Sequence, residues 1–265
     1  MVVPPRPRLA SIIVWDVVLV VTLTAGAVCI AVLIVDRIVP VARRVPYNEL
    51  SGHFFAAVGA FYAILLAFVV VAVWEDMNAA KDNTYVEANA LPGLYFSSTQ
   101  FSERDKAEFQ DIAVTYAREV IDDEWPMLAH GEASPRVDDV AKRMRKVLLQ
   151  LDPQTPKQEA LYSAMIERVN VINSARRDRL NEAKPSIPGY LWFGLIVGAL
   201  LVVGIALFFG APRPMPHTIM VIVFAMLVSG SLYYAHLMDH PFAGTTTVTP
   251  DAFRIALRQM GQTSP

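Results

Sequence analysis

The chain has 265 residues, 54% of them hydrophobic and 18% charged, with a mean hydropathy of +0.38. That is too apolar and too weakly charged for an ordinary soluble domain and makes a membrane protein the default. A net charge of -2 offers no basic patch for nucleic acid, and the lone Cys29 excludes an internal disulfide framework or a multi-cysteine metal site.

A helix needs about 20 apolar residues to cross a bilayer. The first such run covers residues 12–35. It exceeds the roughly 7–15 residues of a signal-peptide core and no small-residue cleavage site closes it, so it reads as a retained anchor. Asp16 lies about one turn inside, where a carboxylate either snorkels toward Arg6 and Arg8 or faces a polar interior. Cys29 sits deep in the run and reads as a packed membrane cysteine.

The second run covers residues 54–74 and places Phe54, Phe61 and Phe68 seven apart, with Val58 and Leu65 between them; the next step of seven reaches Glu75. On a straight helix that line drifts by about 20° per heptad, so these residues share one broad face. Two arrangements fit. The phenylalanines pack on lipid or neighbouring helices. Alternatively the face repeats around an oligomer axis and forms an apolar constriction that gates by dewetting, with Glu75, joined by Asp76, as an acidic ring at the cytoplasmic mouth. Trp74 marks the interface, and helix formers carry the element on as a stalk through residues 75–91 until Pro92-Gly93.

Between residues 92 and 188 the punctuation describes further helices. Ser102 caps a helix to about Asp123, with Pro126 beyond it; Ser134-Pro135 opens a basic helix to Leu151; Thr155-Pro156-Lys157-Gln158 pairs a cap with a capping-box Gln. Leu161, Met165, Val169 and Ile172 then form a stripe suited to packing on another helix, which ends near Ala183.

The third run, 190–209, carries Gly194 and Gly198 in a G-x-x-x-G match, and span two offers Gly59 with Ala63 and Ala56 with Ala60. Small residues of this kind let membrane helices approach closely. The fourth run, 218–237, is the most polar, with Ser229, Ser231, Tyr233, Tyr234 and His236 in its second half, which fits a buried helix. Thr249-Pro250-Asp251 reads as a final cap with Pro at the first helical position.

The expected fold is therefore an all-α membrane protein: four transmembrane helices with a helical cytoplasmic insertion between helices two and three. Its divisions fall at 1–74, 75–188, 189–238 and 239–265. Basic residues near the span ends favour cytoplasmic termini and a cytoplasmic middle: Arg6, Arg8, Lys81, Arg176, Arg177, Arg179, Lys184, Arg254 and Arg258 oppose Arg37, Arg43, Arg44 and Arg213. No catalytic signature is found, and His53, His130, His217, His236 and His240 are scattered. No enzyme, cofactor or metal is expected.

Three stretches carry a resemblance: VWEDMNAAKDNTYVEANALPGLY after span two, NSARRDRLNEAKPSIPGYLW before span three, and DHPFAGTTTVTPDAFRIAL after span four. From about Gly52 to Leu257 the chain resembles the uncharacterised bacterial bestrophin-like membrane proteins, distantly similar to bestrophin ion channels. That resemblance implies a pentamer with four spans per subunit, cytoplasmic termini and a neck lined by span two. Phe54, Phe61, Leu65 and Phe68 match the neck by character. His240-Pro241-Phe242-Ala243-Gly244 is similar to the bestrophin Pro-Phe-Gly stretch with one extra residue. Thr245-Thr246-Thr247-Val248-Thr249 stands where animal bestrophins carry a calcium-binding acidic run, so calcium gating is not transferred.

The leading expectation is a homo-oligomeric channel for monovalent ions in a bacterial inner membrane, lined by Phe54, Phe61, Leu65, Phe68 and Glu75. An acidic mouth favours cations, whereas the resemblance admits anions. The alternative is a non-conducting scaffold or signalling protein whose cytoplasmic helices bind protein partners; a lipid-modifying enzyme is a third, for which the sequence advertises no polar pocket.

Overall fold

The computed structural model describes residues 7–243 and 248–262, and every regular element among them is helical. The chain divides into two compact units. One joins the described residues up to Glu75 with Ser186–Asp239; the other joins Asp76–Pro185 with the described residues from His240 onward.

The first unit contains α1 (Pro7–Ile38), α2 (Val41–Arg44), the beginning of α3 (Asn48–Ser97), α8 (Gly189–Leu207) and α9 (Pro214–Met238). Four of these helices are long and apolar enough to cross a membrane, and no more than 28% of any apolar window is buried within the chain. Most of that surface is left for lipid or for neighbouring copies.

Inside the unit, Val28 and Val32 of α1 meet Val221 and Ala225 of α9, and the Thr24 hydroxyl donates to Ser229 Oγ at 3.1 Å. Tyr62 of α3, Val202 of α8 and Val228 of α9 form a second cluster. Small residues matter where α3 meets α8: a Cβ on Gly198 would stand 2.7 Å from Tyr62 Cδ2, whereas Gly194 meets nothing within 4 Å. Only one half of the G-x-x-x-G match is used within the chain, and Ala56, Ala60 and Ala63 are exposed. Gly198→Leu is expected to push Tyr62 away and cost about 1–3 kcal/mol of stability, readable as a lower melting temperature in detergent.

The second half of α9 departs from expectation. Tyr234 is 53% exposed and His236 is exposed with its ring edge-on to Trp192, so this stretch is not wholly buried. Its serines donate along their own helix, Ser231 Oγ to the Leu227 carbonyl and Ser229 Oγ to that of Met226, and among the described residues only Ser229 also accepts from another helix, through Thr24 of α1. Beyond α9, Asp239 is 2% exposed and accepts from the Ser186 and Ile187 N–H groups and from Trp192 Nε1, fixing the approach to α8. Arg6 lies outside the described residues, as does the side chain of Arg8, the two expected partners of Asp16.

The second unit contains the remainder of α3, α4 (Glu103–Glu119), a π-helical turn (Val120–Glu124), α5 (Trp125–Leu128), α6 (Pro135–Leu148), α7 (Pro156–Glu182) and α10 (Asp251–Gln259). Its core joins Leu91 and Leu94 of α3, Phe109 and Tyr116 of α4, Met144 of α6, Met165, Val169 and Ile172 of α7, and Phe253 of α10.

Pro92-Gly93 does not end α3, which runs on to Ser97. A proline inside a helix costs about 3 kcal/mol, but full burial of a leucine returns about 1.5–3 kcal/mol, and both Leu91 and Leu94 are completely buried. A Cβ on Gly93 would meet the Arg168 guanidinium, the far end of a flexible side chain. Pro126 likewise does not stand beyond the α4 helix; it opens α5 directly after the π-helical turn.

Ser134 accepts from the Arg136 and Val137 N–H groups and opens α6, which ends at Leu148. Thr155 accepts from the Gln158 N–H at 3.2 Å; Gln158 reaches back one residue further than a capping box requires, to the Gln154 N–H. At α10 the register shifts by one, because Pro250 takes the cap position and the Thr249 hydroxyl donates to the Asp251 carboxylate instead of accepting a backbone N–H. Phe242 is buried with its ring edge-on to Trp125, while Gly244 and Thr245, Thr246 and Thr247 lie outside the described residues.

Candidate pore-lining face

Helix α3 presents two unlike faces in the first unit. Phe55 points inward and makes edge-on contacts with Phe209 at 5.9 Å and Phe224 at 5.3 Å; Tyr62 and Val73 follow it into the packed interior. Helical geometry then turns Phe54, Phe61 and Phe68 outward, and they are 58%, 72% and 70% exposed. Leu65 falls between them at 36%, and Glu75, one further heptad along, is exposed and joins no ion pair among the described residues. The five expected lining residues therefore share one face of one helix, free of any covering element from the same chain. Asp76, the first residue of the second unit, is also exposed.

Sequence patterning missed a buried charge cluster in the second unit. Arg179, with no exposure, donates from Nε and Nη2 to Glu87 at 2.7 and 2.9 Å, and from Nη2 to Glu124 at 2.6 Å. Arg176 meets Glu124 at 2.5 Å and Asp138 at 2.5 Å. Tyr116 donates to Glu87 at 2.8 Å, and the Arg179 guanidinium lies 5.5 Å from the Trp125 ring and 5.7 Å from that of Phe253. Burial alone would lower the arginine pKa values, yet the carboxylates outweigh it and hold both arginines firmly charged. Burial likewise opposes ionisation of Glu124, but Arg176 and Arg179 pull its carboxyl below the ordinary range.

A signal for this cluster stands in α7. The apolar stripe Met165, Val169, Ile172 continues at steps of four and three onto Arg176 and Arg179. These two arginines were counted as topology signals above, but they are internal neutralising charges. Arg44 is another: it is 4% exposed, pairs with Asp36 and donates to the Leu207 carbonyl at 3.0 Å. Removing all three leaves the imbalance in basic residues pointing the same way.

Near the same end of α7, Glu182 Oε1 accepts from Asn83 Nδ2 at 2.7 Å while Oε2 is buried without a partner. Burial, reinforced by Asp178 and Asp76, outweighs the Asn83 hydrogen bond and Arg179 and pushes this carboxyl up to about 7. An unfolded glutamate titrates near about 4.3, so the stability contributed by the protonated form is fully present below that value and is lost as pH rises to about 7. Glu182→Gln is expected to flatten the fall in melting temperature across that window.

A four-span helical membrane protein with one face of its second span uncovered is the class these features define. A model of the Bestrophin-like domain matches residues 22–253, and the chain belongs to the Bestrophin-like family. A bacterial Bestrophin homolog from Klebsiella pneumoniae, solved as a variant, superposes with a TM-score of 0.67 at 12% identity, over 93% of this chain and 100% of that one. A second variant of such a Klebsiella pneumoniae homolog gives 0.61 at 12% identity, over 94% and 98%. A crystal structure described as a membrane protein gives 0.68 at 14% identity, over 93% and 99%. At these identities the likeness speaks for the fold. No curated protein matches the chain.

Proposed function

We propose that the chain is the subunit of a bestrophin-type ion channel in a bacterial inner membrane, with its termini in the cytoplasm. Copies assemble around an axis as a homo-oligomer, a pentamer by family analogy, and α3 lines the route with Phe54, Phe61, Leu65 and Phe68. Glu75 follows as a ring of carboxylates that favours monovalent cations. The observation carrying this reading is the uncovered apolar face of α3, which ends in an acid without an ion pair among the described residues, while Phe55 and Tyr62 on the opposite face pack against α8 and α9.

Purified protein in liposomes is expected to pass monovalent ions, and Met substitutions outside this face to leave that flux unchanged. Absence of flux at every voltage and salt composition would favour the scaffold reading. Cysteines placed at Phe61 distinguish the two faces directly: around an axis they cross-link between copies, whereas facing lipid they do not.

A further inference from the structure

A groove of about 960 Å³ opens in the first unit where α3 starts, α8 ends and α9 starts. Phe55, Phe209, Val221 and Phe224 form its walls, and no acidic residue lines it. Two of its polar groups are already engaged: the Asn48 amide bonds in both directions with the Gly210 backbone, and His217 Nε2 lies 3.1 Å from the Ala206 carbonyl oxygen. Arg213 is different. It is exposed, it lines the groove, and it has no hydrogen bond or ion pair among the described residues.

Its surroundings are basic as well. The helix ends and connections at this end contain Arg37, Arg43, Arg44 and Arg213 against Asp36 and Glu49, and Asp36 is already taken by Arg44. Arg37 and Arg43 are exposed without an acidic partner among the described residues. These are the arginines that run against the topology count, and a surplus of this kind at the ends of four apolar helices is suited to lipid phosphates.

We propose that this groove binds an anionic phospholipid of the surrounding bilayer, with an acyl chain against Phe55, Phe209 and Phe224 and the phosphate paired with Arg213. The ligand has to be apolar along most of its length and negative at one end, and the groove lies where membrane-spanning helices end, at the level of headgroups. A second copy seated there would have to offer Arg213 a negative group, and at this end of the chain the acids are Asp36, already paired with Arg44, and Glu49. The proposal does not depend on ion conduction.

Native mass spectrometry of the full chain tests it, with dioleoylphosphatidylglycerol and dioleoylphosphatidylcholine titrated separately. A single arginine near a phosphate supports about a five-fold preference for the anionic lipid. Arg213→Gln should remove that preference and Arg213→Glu reverse it, while Met220→Trp, which narrows the groove, should weaken retention of both lipids. Equal retention of the two lipids by the unaltered chain, or a preference that survives both changes at Arg213, overturns the proposal. So does efficient cross-linking between copies through Met220→Cys, which would place a second subunit in the groove.

Discussion

Arg179→Met is expected to destabilise the second unit by about 3–5 kcal/mol, because it leaves two carboxylates buried with half their compensating charge removed. A domain's whole stability is about 5–15 kcal/mol, so the unit should lose cooperative unfolding or melt far earlier. Trp125, 5.5 Å from the guanidinium, provides the fluorescence readout. Arg179→Lys should restore little, since an ammonium cannot reproduce the paired Nε and Nη2 bonds to Glu87. Combining Arg179→Met with Glu87→Gln should be less damaging than Arg179→Met alone, as it removes the stranded charge together with its partner. If the single substitution proves neutral, the cluster is not what holds α3, α4 and α7 together. Acid offers an independent check: Glu124 is held below the ordinary carboxylate range, so its contribution persists above the unfolded value and is lost as pH falls through the folded one.

Phe61→Ala should raise ion flux through reconstituted protein by about ten-fold, which corresponds to lowering the barrier by about 1.4 kcal/mol. The reason is that an apolar constriction resists wetting, and Phe61, at 72% exposure, is the most outward of the three phenylalanines. Glu75→Gln should act on selectivity more than on total flux, moving the reversal potential toward the anion side in a salt gradient. The two effects separate constriction from charge. A substitution at Phe61 that changes neither flux nor its voltage dependence would place this face against lipid and remove it from the conduction route.

The membrane helices were legible because length and apolarity are sufficient to specify them, and the seven-residue spacing of Phe54, Phe61 and Phe68 placed them on one face without reference to any neighbour. Caps at Ser102, Ser134 and Thr155 were legible for a similar reason: each rests on a hydroxyl and the two or three residues that follow. The errors arose where a distant contact overrides a local preference. Pro92 was read as a stop because its cost is local, whereas the burial of Leu91 and Leu94 that offsets it depends on α4 and α7. Arg176 and Arg179 were counted only as topology signals, although the stripe on α7 ran straight into them. Which carboxylates would receive them could not be deduced from spacing, since Glu87 and Glu124 lie 92 and 55 residues from Arg179 along the chain.

That dispersion bears on how such chains diverge. Glu87, Glu124, Arg176 and Arg179 neutralise one another only as a set, so a hybrid gene taking α3 from one relative and α7 from another would inherit acids without their bases, or bases without their acids. Swaps confined to a single helix are permitted only where the donor has kept the same signs at these positions, and drift at any one of them has to await a matching change elsewhere.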